Sequence, residues 1–165
     1  MSINNLKEIQ GFFFEMMLAG YASGKEPESF FRFSGHQGAK RISYQNTGGW
    51  NGTDEWEPTD SGDGSKGTTT IYKDGFPVWE MHYWGEYPKK CIPFLTLAIA
   101  NNYKKQIWLG GRGPYEFADK DWLYHNSPAG KHSFLNFHGH EFIVNKSLGK
   151  KVGWHSYIGG SLFII

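Results

Sequence analysis

Apolar residues near the start of the chain recur at helical spacing and predict a first helix over residues 5–19. A second helical pattern runs from about residue 89 to residue 104. A one-sided apolar stripe is typical of a helix that packs on a core. The stripe of the first helix consists of Leu6, Ile9, Phe13, Met16 and Met17. The apolar side of the second consists of Leu95, Leu97, Ala98 and Ile99.

The segments outside the helices predict short strands and one long loop. Aromatic or alternating runs predict strands at 30–33, 40–44, 115–117, 122–124 and 133–137. Residues 46–67 combine many glycine, serine and threonine residues with acids and two tryptophans, without clear periodicity. We predict a long loop or an irregular edge in that segment.

Two distant stretches share the same residue spacing and predict a duplicated β-hairpin. Glycine precedes isoleucine by four residues in both, and valine precedes tyrosine by five. The first copy carries Gly67, Ile71, Gly75, Val78, Tyr83 and Gly85; the second carries Gly139, Ile143, Gly149, Val152, Tyr157 and Gly159. Only the turn differs in length, as hairpin loops can.

This duplication predicts one domain of two similar halves, about 1–87 and 88–165, related by a pseudo-twofold axis. Each half has a helix, then strands, then a hairpin. The expected fold class is α+β: a largely antiparallel, curved or barrel-like sheet with two helices packed on it. A cleft is expected where the two repeats meet.

Composition narrows the classes of partner. The chain has 165 residues and a net charge of +1, which gives no electrostatic footprint for nucleic acid or an anionic membrane. No signal or membrane-spanning segment is evident, and the single Cys91 fits a reducing compartment. We therefore expect a cytoplasmic protein without a nucleic-acid or membrane partner.

Four motifs give the chain a resemblance to a known family. They are Gly75-Phe-Pro-Val-Trp-Glu-Met-His-Tyr-Trp-Gly85, Tyr21-Ala-Ser-Gly24, Phe137-x-Gly139-x-Glu141 and Tyr157-x-Gly-Gly160. With them the chain resembles an uncharacterised bacterial domain family whose members occur alone or behind a helix-turn-helix of the XRE regulator type. The resemblance implies a stand-alone member here. It implies no catalytic residues. The family tends to have a Phe-x-Gly-x-Glu motif in the first half as well, where this chain reads Gly67-Thr68-Thr69.

Strand alternation predicts an aromatic-lined pocket between the repeats. Trp79, Met81 and Tyr83 fall on one face of their strand, and His155 and Tyr157 fall on the matching face of the second copy. In the pocket hypothesis, Trp79 stacks on a ligand and the tyrosine hydroxyls orient it. In the alternative, these aromatic residues belong to the core and each hydroxyl has one protein partner.

Glu141 is the acid most closely tied to this face, because it alternates with Ile143. A buried acid must be paired or must have a raised pKa. One interpretation is a ligand-binding carboxylate or general base, with Tyr157 or His155 across the hairpin; Glu141→Gln would then preserve the fold. The other is a salt bridge to Lys151 or Arg112.

His138 and His140 lie on one face of a strand and could together bind a metal, but a third ligand is not obvious. We therefore predict neither a metal site nor a cofactor.

The leading hypothesis is a domain that binds or senses a small molecule through Trp79, Tyr83, Glu141, His155 and Tyr157. The first alternative is an enzyme that uses Glu141 with His155 or His82 as an acid–base pair. The second is an interaction module that docks a protein through its edge strands or the 46–67 segment.

Overall fold

In the described part of the chain, a nine-stranded antiparallel sheet carries two helices on one of its faces. The structure is a computed structural model that describes residues 3–31 and 37–163. The helices are α1 (Ile3–Ala19) and α2 (Ile92–Lys104), with single 3₁₀ turns at Tyr21–Ser23 and Lys89–Cys91. The strands are β1 (Glu28–Phe31), β2 (Gln37–Gln45), β3 (Trp50–Pro58), β4 (Gly64–Lys73), β5 (Phe76–Glu86), β6 (Glu116–Ala118), β7 (Trp122–Pro128), β8 (Asn136–Asn145) and β9 (Lys150–Ser161).

The strand order is β1-β2-β3-β4-β5-β9-β8-β7-β6, and every neighbouring pair is antiparallel. The α+β class with two helices and an antiparallel sheet is thereby confirmed. The sheet has β1 and β6 as its edges and is curved and open, so the barrel-like form is not adopted.

The two predicted hairpins, 68–85 and 140–159, are both antiparallel hairpins, as predicted. They meet at the middle of the sheet, where β5 pairs with β9 and Tyr83 lies opposite Tyr157. Each hairpin contains a register shift directly after its isoleucine, at Ile71 in one and at Ile143 in the other.

The core lies between the helices and the inner face of the sheet. Ile9, Phe13, Met16 and Met17 of α1 are buried, as the helical stripe predicts, and so are Trp79 and Met81 of β5. In α2 the prediction was wrong at one position: Leu95, Ala98 and Ile99 are buried, but Leu97 is 55% exposed. Position 97 lies two residues after Leu95, so it points away from the buried side of the helix.

The prediction of a loop over residues 46–67 was wrong, because this segment forms β3 and the start of β4. The inward positions of β3 are Gly52, Asp54 and Trp56. Met16 and Phe12 of α1 pack directly on the backbone of Gly52, so a side chain would not fit at this position. A strand whose inner face holds a glycine and a buried acid lacks the apolar alternation by which half-buried strands are recognised.

Strand bounds differ from the prediction at several further places. Residues 133–135 precede β8, and Ser133 makes only an isolated bridge to Asn136. β1 covers residues 28–31, and the predicted strand positions 32–33 lie outside the described residues. The predicted strands at 40–44 and 122–124 are parts of the longer β2 and β7.

Within the described ranges, no helix is both long enough and apolar enough to cross a bilayer.

Two glycines let tyrosine side chains cross a neighbouring strand. Gly67 lies opposite Tyr83, and Gly139 lies opposite Tyr157. A Cβ atom added at Gly139 would lie only 2.5 Å from the Tyr157 hydroxyl oxygen and 2.7 Å from the Ser127 carbonyl oxygen. The tyrosine therefore occupies the space that a side chain at the glycine position would need.

This space gives a stability prediction. Gly139→Ala should lower the free energy of unfolding by about 1–3 kcal/mol, the usual cost of overpacking. Gly11→Ala is the matched control, because Gly11 lies on the exposed side of α1 and a Cβ added there would have open space around it. It should stabilise by about 0.5–1 kcal/mol through helix propensity. Urea unfolding of both variants checks the pair, and equal effects would contradict the packing.

Candidate functional site

Two buried acids lie on the inner face of the sheet, Asp54 on β3 and Glu141 on β8. Asp54 is 6% exposed, and Glu141 is fully buried. Thr69 Oγ1 and Tyr83 Oη each donate a hydrogen bond to Asp54 Oδ1 at 2.9 Å. Tyr83 reaches Asp54 across the gap left by Gly67, since β4 lies between β5 and β3.

Glu141 is saturated by protein donors. Arg112 donates to Oε1 through Nε at 3.1 Å and also through Nη2, so the two residues form a buried ion pair. Tyr124 Oη donates to Oε2 at 2.6 Å, and Tyr87 Oη lies 3.4 Å from Oε1. Of the two salt-bridge partners considered for Glu141, the structure selects Arg112. Lys151 instead lies 3.8 Å from the centre of the Phe142 ring.

Arg112 comes from the glycine-rich loop 110–113, which packs on the sheet through its glycines. A Cβ at Gly111 would lie 2.5 Å from the Tyr157 hydroxyl oxygen, and one at Gly113 would collide with Tyr124. This close packing carries the Arg112 guanidinium to the ring of Tyr83, with 5.1 Å between Cζ and the ring centre. The loop thereby places a buried cation between the two acids.

His155 completes the cluster on β9. Its Nδ1 lies 2.8 Å from Arg112 Nη2. Because a guanidinium only donates, Nδ1 is the acceptor, and the ring proton resides on Nε2. The imidazole stacks on Tyr83, with ring centres 5.7 Å apart and an interplanar angle of 24°.

The charges in the cluster follow from burial and neighbours. Burial, reinforced by the Arg112 charge, lowers the pKa of His155 well below its usual value, so the ring is neutral. Burial raises the pKa of Asp54, against the hydrogen bonds from Thr69 and Tyr83 and the charge of Arg112. Burial alone would lower the pKa of Arg112, but the charge and hydrogen bonds of Glu141 raise it well above its usual value.

A cavity of about 500 Å³ opens beside this cluster, between the sheet, the 3₁₀ turn after α1 and the start of α2. Its polar lining includes Asp54, Tyr83, Arg112 and His155. Its aromatic and apolar lining includes Tyr21, Trp56, Tyr87, Ile92, Pro93 and Leu95. Lys40, Asp63 and Lys89 also line it, and Lys89 is exposed to solvent.

The structure brings two of the five predicted site residues to this cavity. Tyr83 and His155 line it, whereas Glu141 does not line it and is linked to it through its partners Arg112 and Tyr87. Trp79 lies in the core: its Nε1 donates to the Phe134 carbonyl oxygen at 2.9 Å, and its ring stacks 4.7 Å from Phe134. Tyr157 is buried and is not among the cavity-lining residues.

The expected contact between Glu141 and Tyr157 is not formed. Tyr157 lies opposite Gly139 rather than Glu141, and its hydroxyl crosses β8 to donate to Asn126 Oδ1 at 2.5 Å. Tyr124, on β7, takes the place that was expected for Tyr157. Glu141 lies opposite His155, two positions away from Tyr157, so the strand register decides which tyrosine meets the acid.

The acid–base pairs of the enzyme hypothesis are not hydrogen-bonded within the described residues, although His155 lies opposite Glu141 across the hairpin. Arg112 lies between Glu141 and His155, donating to both. His82 lies on the opposite face of the sheet, where it contacts Glu80 at 2.7 Å and Thr68 at 3.1 Å.

His138 and His140 are both exposed on the outer face of the sheet. Among the residues that the structure describes, no group of three or more His, Cys, Asp or Glu side chains is arranged to hold a metal ion.

Sequence reasoning missed Asp54, Tyr21 and Tyr87 as cavity residues and considered Trp56 only within a loop. The available signal was the alternation of Gly52, Asp54 and Trp56, which places all three on one face of a strand. Arg112 was considered as a partner of Glu141, but its position in the cavity depends on the loop conformation, which spacing does not specify.

The chain belongs to a family described as a domain of unknown function, DUF5680, which it matches over residues 63–162. The expected membership of an uncharacterised domain family is thus confirmed. The matched region spans both hairpins, α2 and the Arg112 loop, while Asp54 and Tyr21 lie before it. No curated protein and no solved structure matches the chain.

The ion pair corrects the expectation for Glu141→Gln. The substitution leaves Arg112 buried without its counter-charge, so we expect a loss of about 3–5 kcal/mol in the free energy of unfolding. The double variant Glu141→Gln with Arg112→Met should lose less than the sum of the two single variants. Urea unfolding of all three checks this. A single variant that loses less than about 1 kcal/mol would contradict a buried pair.

The neutral His155 predicts a pH dependence of stability. Its folded pKa is depressed, so its contribution is present above the unfolded value of about 6.5 and is lost as the pH falls below it. Between pH 7.5 and 5.5 this group should cost about 1 kcal/mol. His155→Asn keeps an acceptor for Arg112 but does not titrate. The pH slope of its urea midpoint should be shallower than that of the unsubstituted protein, and identical slopes would contradict a neutral His155.

Proposed function

We propose that this chain is a small-molecule binding or sensing domain whose ligand occupies the cavity beside Asp54 and Arg112. One observation carries the proposal: two buried polar groups on the cavity wall have hydrogen-bonding capacity that no described residue uses. Because both residues line the cavity, a ligand or water in the cavity can complete their hydrogen bonds.

The first of these groups is Asp54 Oδ2. Both hydrogen bonds to the carboxylate are accepted by Oδ1, and within the described part of the chain no donor contacts Oδ2. The side chain is buried, yet it lines the cavity. A donor on a ligand can therefore reach Oδ2 without displacing a protein hydrogen bond.

The second group is Arg112 Nη1. Nε and Nη2 are engaged with Glu141 and His155, and Nη1 donates to no residue in the described ranges. The guanidinium is fixed by its ion pair and by the Tyr83 ring beneath it. A fixed donor with one free edge favours an acceptor on the ligand and loses little entropy on binding.

The aromatic walls suit an organic ligand. Tyr83 and His155 stack on each other, and Tyr21 meets Trp56 edge to face with ring centres 6.2 Å apart. The volume, apolar walls and few placed polar groups are typical of small-molecule sites. The expectation that a ligand would lie near the hairpin tyrosines is thereby supported for Tyr83, and we extend it to Asp54 and Arg112.

We also propose that the two halves arose by duplication. Tyr83 crosses Gly67 to reach Asp54, and Tyr157 crosses Gly139 to reach Asn126. In this correspondence Thr69, opposite Asp54, matches Glu141, opposite Asn126. In the second half, the loop 110–113 covers the Tyr157–Asn126 pair, since Gly111 packs against both residues. One half is thus closed by the chain itself, and the other keeps a cavity.

We also propose that the domain is a bacterial cytoplasmic sensor that acts alone or with an XRE-type regulator. The balanced charge and the single Cys91 are consistent with this location. This association rests on the motif resemblance and is an analogy between families.

A group of exposed apolar side chains favours the alternative of an interaction module. Trp84, Trp154 and Ile158 are 40–49% exposed on the sheet face away from the helices. A partner that docked there would contact Trp84 and leave Trp56 unchanged, whereas a cavity ligand would do the reverse.

A fragment screen by protein NMR tests the proposal with these two tryptophans as internal reporters. Small aromatic fragments of neutral, cationic and anionic types are added to the whole chain. We expect binders to shift the indole N–H signal of Trp56 and not that of Trp84, since only Trp56 lines the cavity. Assignment uses Trp56→Phe and Trp84→Phe variants. Shifts confined to Trp84, or no shift at Trp56 with any fragment, would contradict the proposed site.

A further inference from the structure

The buried charges on the cavity wall do not all have a partner of opposite sign. Arg112 and Glu141 neutralise each other in a buried ion pair, and His155 is neutral because its Nδ1 accepts a hydrogen bond from Arg112. Asp54 is left as a buried carboxylate with no cation bonded to it within the described residues. Buried carboxylates in folded proteins are paired or coordinate a cation.

The walls around Asp54 favour a cation over an anion. Tyr21, Trp56, Tyr83 and Tyr87 line the cavity. The faces of aromatic rings carry negative potential and attract ammonium groups, an effect that strengthens away from water. The charge of Arg112 is already compensated by two bonds to Glu141, so its free Nη1 serves a neutral acceptor as well as an anion.

The remaining lining charges lie where solvent screens them. Lys89 is exposed, and Lys40 and Asp63 are half-buried. Their sum is one positive charge, spread over side chains that are more accessible than Asp54. The strongest uncompensated charge inside the cavity is therefore negative.

We propose that the ligand of this cavity is a small organic cation with an N–H donor, such as a protonated aromatic or alkyl amine. Its nitrogen donates to Asp54 Oδ2 and is enclosed by the rings of Tyr21, Trp56, Tyr83 and Tyr87. An acceptor elsewhere on the ligand receives the free N–H of Arg112 Nη1. This inference rests on the proposed function and names the chemical class that the cavity selects.

Three compounds of similar shape and different charge test the class directly. They are 2-phenylethylamine as the cation, 2-phenylethanol as the neutral analogue and 3-phenylpropionate as the anion. Affinities are measured from the Trp56 indole shift of the whole chain at pH 7.5. We expect the amine to bind at least about tenfold more tightly than the alcohol, and the anion to bind most weakly. Both the amine and the alcohol can donate a hydrogen bond to Asp54, but only the ammonium is also attracted by the carboxylate charge and by the aromatic rings.

The Asp54→Asn variant tests whether Asp54 is the group that favours the amine. Asparagine keeps an Oδ1 acceptor for Thr69 and Tyr83 and removes a buried charge, so the fold should persist; unfolding curves recorded in parallel check this. Amine affinity should fall about ten- to a hundredfold, while affinity for the alcohol should fall less, because the neutral hydroxyl loses no charge–charge attraction. Asp60→Asn is the matched control, since Asp60 is an exposed carboxylate that is not among the cavity-lining residues, and it should leave both affinities nearly unchanged.

The outcomes separate the two proposals. If the alcohol or the propionate binds at Trp56 as tightly as the amine, the cation class is wrong and the cavity remains a binding site. If Asp54→Asn and Asp60→Asn weaken amine binding equally, Asp54 is not the recognition group. If none of the three shifts Trp56, the amine proposal fails here, while the wider fragment screen still decides whether the cavity binds other small molecules.

Discussion

The buried ion pair between Arg112 and Glu141 is the interaction on which the site depends. Glu141 accepts from Arg112, Tyr124 and Tyr87, so side chains from β7, the 110–113 loop and the segment after β5 converge on one carboxylate of β8. Removing the acid would leave a buried guanidinium, and removing the arginine would leave a buried carboxylate. The pair thus fixes the loop on the sheet and fixes one wall of the cavity at the same time.

The second constraint is the placement of glycine opposite tyrosine in both hairpins. Gly67 and Gly139 leave room for Tyr83 and Tyr157 to cross a strand and donate to polar residues on the strand beyond. For Tyr83 the recipient is Asp54, whose Oδ2 meets no donor among the described residues. For Tyr157 the recipient is Asn126, which also donates to the Gly113 carbonyl oxygen at 3.2 Å. The same geometry therefore is closed by the 110–113 loop at Asn126 and lies beside a cavity at Asp54.

Much of the fold follows from local pattern. The stripe of α1, the strand alternation of β5 and β9 and the spacing of the two hairpins all lie in short stretches of chain, and the sequence predicts them. β3 is not predicted, because its inner face carries Gly52 and Asp54 in place of apolar residues. The site is predicted only in part. Tyr83 and His155 lie on predicted strands, but Asp54 and Arg112 reach the cavity through strand order and loop packing, which depend on contacts between distant parts of the chain.

Glu141 holds Arg112 in place, and beside the pair lies an open cavity in which Asp54 Oδ2 meets no donor among the described residues. A high-resolution crystal structure of the whole chain would examine both features at once. We expect Arg112 to be paired with Glu141, and Asp54 Oδ2 to contact only water or a bound small molecule in the cavity. Two findings would contradict this arrangement: a Lys40 ammonium bonded to Asp54 Oδ2, or an Arg112 side chain that points away from Glu141 while other side chains fill the cavity.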